Sequence, residues 1–150
     1  MPKPFGITLF CDDIRREVGG KHTYVGVYGG DMTVVSNEPA LLPILSMAAM
    51  LFTPPDFTFT SVKVQVLREV PNEGDQVLVE QEIPGMQSRE KGKGLKHNIN
   101  FSLSPFLVDR DFKLKVKAFF DDATEVRLGS LSVKLKPSAN TPPKPSTSAE

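Results

Sequence analysis

The sequence predicts an all-β fold, an antiparallel β-sandwich of the immunoglobulin-like or C2-like type with about seven to nine strands. Two observations predict it. Apolar residues recur at alternate positions in several segments, and turn-forming residues recur about every ten residues, a spacing typical of sandwiches and barrels. The clearest strand runs from Phe112 to Phe120, where apolar side chains alternate with Lys113, Lys115 and Lys117. This is the pattern of a strand with one buried and one solvated face.

The same alternation predicts further strands. Val62 to Val66 and Val77 to Val79 are joined by PNEGDQ, whose proline, asparagine and glycine favour a hairpin turn. Another strand is expected around Ile99 to Leu103, and a last one over Val126 to Leu135.

One apolar segment permits two interpretations. Leu41, Ile44 and Ala48 lie at helical spacing, but a buried strand over Ile44 to Phe52 fits the periodicity equally well. Pro43 is tolerated in a helix only near its start. We expect the strand, because a sandwich needs a central one here.

The alternation shifts by one residue at three places, Asp12-Asp13, Thr60-Ser61 and Gly129-Ser130. One inserted residue is the signature of a β-bulge, which bends a strand and redirects its side chains. A strand that crosses from one sheet to another is the alternative explanation.

Length and composition predict a single domain over residues 1–136. Residues 137–150 are mostly proline, serine, threonine and alanine, which predicts a disordered tail. Lysine plus arginine equals aspartate plus glutamate at 18 each, and this neutrality argues against a nucleic-acid partner. The N-terminus has no apolar signal segment, and the longest apolar run is too short to span a bilayer. We therefore expect a cytoplasmic protein with no membrane partner.

The N-terminal segment contains a charged cluster between apolar flanks. Ile7 to Tyr28 reads as two strands joined by a Gly19-Gly20 turn, and a two-residue loop would place Ile14 opposite Val25 and Asp12 opposite Val27. The cluster is the candidate interaction patch, since bulges often redirect side chains beside binding sites. The alternative role is protection of an edge strand against pairing with other chains. Its members are Asp12, Asp13, Arg15, Arg16 and Glu17.

Other chemistry-bearing residues nominate no catalytic, cofactor-binding or metal-binding site. The acidic pairs Asp12-Asp13 and Asp121-Asp122 lack the spacing of a calcium loop, and the second is more typical of a turn. His22 and His97 lie far apart with no third ligand between them. Cys11, the single cysteine, follows Leu9 and Phe10, which predicts a buried and inert thiol rather than half of a cysteine–histidine pair.

The block FCDDIRREVGGKHTYVGVYG, followed by a proline-bounded apolar segment and a valine-rich strand, resembles an uncharacterised bacterial and phage-associated family of small β-sandwich proteins. The resemblance extends over residues 5–135, and its specific part is this first block. It implies the sandwich fold and a strand over Ile44 to Phe52, and it implies no catalytic residue. The residues that match the family pattern are Cys11, Asp12, Arg15, Glu17, Gly20, Lys21, Gly26 and Tyr28.

These observations together predict a non-enzymatic binding or accessory module, encoded by a phage or mobile element, that contacts a protein partner and needs no cofactor. Self-association is a further expectation. Two alternatives remain open at this point: a metal-dependent hydrolase or calcium-binding C2-like domain using Asp12 and Asp13, and a structural component of a virion or other assembly.

Overall fold

A computed structural model describes residues 2–85 and 92–138 of the chain. These residues form eleven strands and no helix, and 69% of them lie in strands. The all-β prediction is confirmed, whereas the predicted count of about seven to nine strands, typical of sandwich folds, is too low. No helix in this part of the chain is long and apolar enough to cross a membrane. The predicted tail from 139 onward lies outside the described residues.

The strands differ widely in length. In chain order they are β1 Phe5–Arg16, β2 His22–Val27, β3 Asp31–Val35, β4 Ala40–Leu42, β5 Leu45–Thr53, β6 Ser61–Val70, β7 Gly74–Pro84, β8 Leu95–Leu103, β9 Phe106–Val108, β10 Phe112–Phe120 and β11 Thr124–Lys136.

The strands form three sheets. Sheet A has the order β2-β1-β5-β8, sheet B has the order β3-β11-β10-β6-β7, and β4 pairs with β9 in a two-stranded ribbon. Every pairing is antiparallel except that of β3 with β11, which is parallel, so the prediction of a wholly antiparallel fold is wrong at this edge. The two strands are far apart in sequence, and no local turn constrains their direction.

A single buried cluster draws side chains from both large sheets. Met47 and Leu51 of β5 belong to it together with Val64 of β6, Val116 of β10 and Leu131 of β11, all of them fully buried. One end of the core is closed by an aromatic group in which the Phe57 and Phe59 rings each contact the Phe120 ring edge-on at 4.9 Å. These contacts make the cluster the main source of hydrophobic stabilisation.

Strand prediction succeeded for strands with one buried face, such as β10, and also for β5, which is mostly buried on both faces. The strands predicted over Phe112 to Phe120 and Ile44 to Phe52 are confirmed as β10 and β5, and the predicted hairpin is β6–β7. The strands that the pattern did not reveal, β3, β4 and β9, are three to five residues long. Segments this short contain too few alternations to show a period.

The three predicted irregularities have different outcomes. At Gly129 the bulge is confirmed, because Val116 pairs with Gly129 and Lys117 with Arg127, which leaves Leu128 as the extra residue. The shift at Thr60-Ser61 is the start of β6 rather than a bulge. An unpredicted bulge lies in the β6–β7 pair, between Val66 and Leu67.

The bulge of β11 lies where this strand contacts β1 of sheet A. A Cβ atom added to Gly6 of β1 would overlap the Met50 carbonyl oxygen and lie 2.6 Å from Leu128 Cδ2 of β11. A Cβ atom added to Gly129 would lie 3.2 Å from Thr8 Cβ. The face of β1 that carries Gly6 and Thr8 is therefore directed at β11, and it is lined by small side chains.

We predict that Gly6→Ala destabilises the protein by about 1–3 kcal/mol, the usual cost of overpacking, because backbone on one side and Leu128 on the other block the new methyl group. Urea unfolding monitored by circular dichroism measures the change. Gly29→Ala is the matched control, since its added Cβ would have no atom within 4 Å. Equal effects of the two substitutions would show that the contact between β1 and β11 is not tight.

Candidate functional site

The charged cluster lies on a hairpin that extends beyond the rest of sheet A. Pairing between β1 and β5 ends at Cys11↔Ser46, whereas pairing between β1 and β2 continues to Arg16↔His22. Within the described part of the chain, Asp12–Arg16 therefore has a neighbouring strand on one side only. We call this hairpin, residues 12–26, the β1–β2 arm.

The turn of the arm corrects the predicted register. The Glu17 amide donates to the Lys21 carbonyl at 2.8 Å, so the loop contains Val18, Gly19 and Gly20 instead of two glycines. Ile14 consequently pairs with Tyr24 rather than Val25, and Asp13 takes the position opposite Val25. Gly19 and Gly20 have φ of 86° and 76°, values that glycine adopts without steric cost.

The pattern break at Asp12 has a structural cause other than a one-residue bulge. The pairs Cys11↔Val27 and Asp13↔Val25 are in the same register, so β1 contains no extra residue at this point. The distortion belongs to the opposite strand, where Gly26 has φ of 67°. The predicted bulge at Asp12-Asp13 is therefore wrong.

The absence of a side chain on Gly26 leaves the space that the Asp12 side chain occupies. A Cβ atom on Gly26 would overlap the Asp12 carboxylate, which accepts a hydrogen bond of 2.5 Å from the Tyr28 hydroxyl. The Tyr28 amide also donates to the Phe10 carbonyl at 2.8 Å. These two hydrogen bonds link the end of β2 to β1, and we call Asp12, Gly26 and Tyr28 the Asp12–Tyr28 unit.

This unit changes the acidity of Tyr28. Burial, the hydrogen bond to Asp12 and the carboxylate charge raise the pKa of Tyr28 to about 12. Burial and the charges of Asp12 and Asp13 also raise the pKa of the Cys11 thiol. A raised pKa keeps the thiol protonated, and only the thiolate is a strong nucleophile.

The candidate patch does not form a single surface. Asp13 and Arg15 lie on one face of β1, with Arg15 Nε 3.6 Å from Asp13 Oδ2, and both side chains are well exposed. Asp12 and Arg16 lie on the opposite face, and Glu17 begins the turn. Asp12 is held by Tyr28, so Asp13, Arg15, Arg16 and Glu17 remain for contacts with another molecule.

The sequence did not indicate the apolar surface beside the arm. Phe5, Ile7 and Val27 are 62%, 54% and 51% exposed, although each lies in a strand. Phe5 pairs with Phe52 and Ile7 with Met50 on the neighbouring strand β5. We call Phe5, Ile7, Val27, Met50 and Phe52 the apolar face of sheet A. One feature of the sequence could have indicated this surface. In β1 the large apolar residues Phe5 and Ile7 occupy one set of alternate positions, whereas the other set begins with the small residues Gly6 and Thr8.

The structure keeps Cys11 apart from both histidines. Cys11 pairs with Ser46 and His97 with Leu51, five positions away along β5, or about 17 Å at the usual rise per residue. Cys11 also pairs with Val27, while His22 pairs with Arg16 at the far end of the arm. The thiol is fully buried, as predicted.

The acidic pairs have structural partners. Asp121 Oδ1 accepts hydrogen bonds from the amides of Thr60 and Ser61 at 2.8 and 3.0 Å, which confirms the turn predicted at Asp121-Asp122. Asp109 bonds Arg68 Nη2 at 2.6 Å, and this guanidinium lowers the pKa of Asp109. In residues 2–85 and 92–138, no group of three or more histidine, cysteine, aspartate or glutamate side chains is arranged to hold a metal ion.

Neither a protein-family model nor a curated protein sequence matches the chain.

We predict that Asp12→Asn lowers the pKa of Tyr28 toward its ordinary value of about 10, because the negative charge beside the hydroxyl is lost. The chain has two tyrosines, so a Tyr24→Phe background isolates the tyrosinate absorbance of Tyr28 in an alkaline titration. Folded Tyr28 holds its proton more tightly than unfolded tyrosine. Its contribution to stability is therefore complete below pH about 10 and is lost as the pH rises toward 12.

Asp13→Asn is the control for that titration, because Asp13 contacts Arg15 and not Tyr28. A shift of the Tyr28 titration in Asp13→Asn equal to that in Asp12→Asn would contradict the role given to the Asp12 hydrogen bond.

We also predict acid sensitivity from His97, which is 9% exposed and whose pKa burial lowers. The unfolded chain then binds the proton more strongly, so stability decreases as the pH falls below about 6.5 and levels off below the folded pKa. Each unit of pKa difference corresponds to about 1.4 kcal/mol. Urea midpoints of wild type and His97→Leu at neutral and mildly acidic pH test this, and His22→Gln on the exposed arm is the control. An unchanged acid sensitivity in His97→Leu would refute the prediction.

Proposed function

We propose that this protein is a non-enzymatic binding module that captures a protein partner through the apolar face of sheet A and the adjoining β1–β2 arm. The observation that supports this most directly is the exposure of Phe5, Ile7 and Val27 on one side of one sheet. Contiguous apolar side chains exposed on a folded domain are typical of interaction sites.

Charges at the arm complement this apolar surface. The parity of β1 that carries Phe5 and Ile7 continues through half-buried Leu9 and fully buried Cys11 to Asp13 and Arg15, so these two charged residues lie beyond the apolar face on the same side of β1. Protein interfaces commonly combine an apolar centre with a polar rim. On this side of β1 the arm supplies the rim with Asp13 and Arg15, and Glu17 lies exposed at the turn.

The arm also has an open strand edge. Beyond Cys11↔Ser46 the backbone of β1 continues without β5 beside it. A strand from a partner can add to such an edge through main-chain hydrogen bonds, with side-chain contacts supplying specificity. The edge and the charged side chains thus support the same role for the arm.

We propose further that the two large sheets form a β-sandwich of the immunoglobulin-like or C2-like type. The shared buried cluster and the contact of Gly6 with Leu128 support a face-to-face arrangement of the sheets. In such an arrangement the outer face of each sheet is free to bind. The outer face of sheet B carries paired charges, such as Lys115 with Glu69 at 2.7 Å, whereas that of sheet A exposes large apolar side chains on β1, such as Phe5 and Ile7, beside polar residues on β8.

The double variant Ile7→Lys/Val27→Lys tests the proposal. We expect it to reduce the amount of co-purified partner at least tenfold in quantitative affinity capture from the source organism, since central interface residues carry most of the binding energy. Both side chains are more than half exposed, so lysine can extend into solvent and the fold is preserved.

Val77→Lys on β7 is the matched control, because Val77 is 48% exposed but belongs to sheet B. Light scattering measures the molar mass of the wild type and of the double variant. A dimeric wild type and a monomeric double variant would identify a second copy of the chain as the partner. A partner retained equally by the double variant and by Val77→Lys would refute the proposal.

A further inference from the structure

A groove lies at the end of the apolar face farthest from the arm. It is formed where β1 begins, β5 ends and β8 begins, and its volume is about 410 Å³. This volume is within the range of protein sites that hold a small ligand or a single large side chain. Pro54, Pro55 and Leu95 contribute to its apolar lining.

Two aromatic rings form the wall of the groove nearest the apolar face. The Phe5 and Phe52 rings are stacked with centroids 5.0 Å apart and an interplanar angle of 15°. Phe5 is 62% exposed, so the ring pair presents an open edge and face instead of packing into the core. Such a preformed pair offers a further aromatic or apolar side chain a contact surface that needs little rearrangement.

Two lysines lie beside these rings. Lys3 and Lys96 both line the groove, and Lys96 Nζ lies 5.9 Å from the centre of the Phe52 ring. Among the described residues that line it there is no aspartate or glutamate. An anionic group bound in the groove would be attracted by Lys3 and Lys96, whereas a cationic group would be repelled by them. The acidic side chains Asp56 and Glu125 line the neighbouring cavity, which shares Lys3 with the groove.

We infer that this groove takes an apolar or aromatic side chain followed in sequence by carboxylates, presented by the protein partner, and this inference rests on the proposed function. The side chain packs against Phe5 and Phe52, and the carboxylates contact Lys3 and Lys96. The groove adjoins the apolar face at Phe5, so one partner segment can occupy the groove while the rest of the partner covers Ile7 and Val27. Neither step requires a covalent change.

Three blocked peptides test the inference without the partner. They are acetyl-Gly-Phe-Asp-Asp-amide, its uncharged isostere acetyl-Gly-Phe-Asn-Asn-amide, and acetyl-Gly-Gly-Asp-Asp-amide, each titrated into ¹⁵N-labelled protein. We expect saturable amide shifts around Phe5, Phe52 and Lys96 with the first peptide. The asparagine peptide should bind about three-fold or more weakly because it loses the exposed ion pairs with the lysines, and the glycine peptide should do so because it lacks the ring that packs on Phe5 and Phe52.

Lys96→Glu should abolish the preference for aspartate over asparagine, and Lys96→Arg should keep it. Lys113→Glu on the outer face of sheet B is the matched control and should bind like the wild type. Equal binding of the aspartate and asparagine peptides to wild type, shifts confined to another surface, or no saturable shift would each overturn the inference. If none of the peptides binds but the variant Ile7→Lys/Val27→Lys still loses its partner, the groove inference is refuted and the proposed function is not.

Discussion

The close contact of β1 with β11 is the constraint on which the other features of this molecule depend. Gly6 and Thr8 lie on the face of β1 directed at sheet B, where Leu128 and the bulged Gly129 leave no room for larger side chains. Because neighbouring side chains of a strand point to opposite faces, the large residues Phe5 and Ile7 must then face outward. The tight contact inside the protein thus produces the apolar surface outside it.

The same constraint explains where sequence periodicity was misleading. Alternating apolar residues normally mark the buried face of a strand, and in β10 the parity that includes Leu114 and Val116 is buried as expected. In β1 the apolar parity is exposed at Phe5 and Ile7 and becomes buried only at Cys11. Both strands have a strand on each side in their own sheet, so the difference lies in the packing between sheets. The face of β10 that carries Leu114 and Val116 belongs to the buried core, whereas β1 approaches β11 through a glycine. The large residues Phe5 and Ile7 therefore face outward.

The residues of the N-terminal block separate into two groups once their contacts are known. Cys11, Asp12, Gly26 and Tyr28 have structural roles: a buried thiol, and a carboxylate that lies over a glycine and bonds a tyrosine hydroxyl. Arg15 and Glu17 lie exposed on the arm and remain available to a partner. The sequence pattern alone does not separate these two groups. A residue that stabilises a hairpin and a residue that contacts a partner look the same in it.

The sequence by itself determined the all-β class, the position and length of strands such as β5 and β10, the β6–β7 hairpin and the burial of Cys11. Most of these features follow from local alternation and turn chemistry, which neighbouring residues encode. The strand β5 is expected for a different reason, because its apolar run fits a buried strand and a sandwich needs a central one. The tertiary structure decided which face of β1 is inside, the parallel pairing of β3 with β11 and the groove beside Phe5. Each of these depends on contacts between residues far apart in the chain, and the charged segment Asp12–Glu17 acquires its exposed position only because β5 ends where it does.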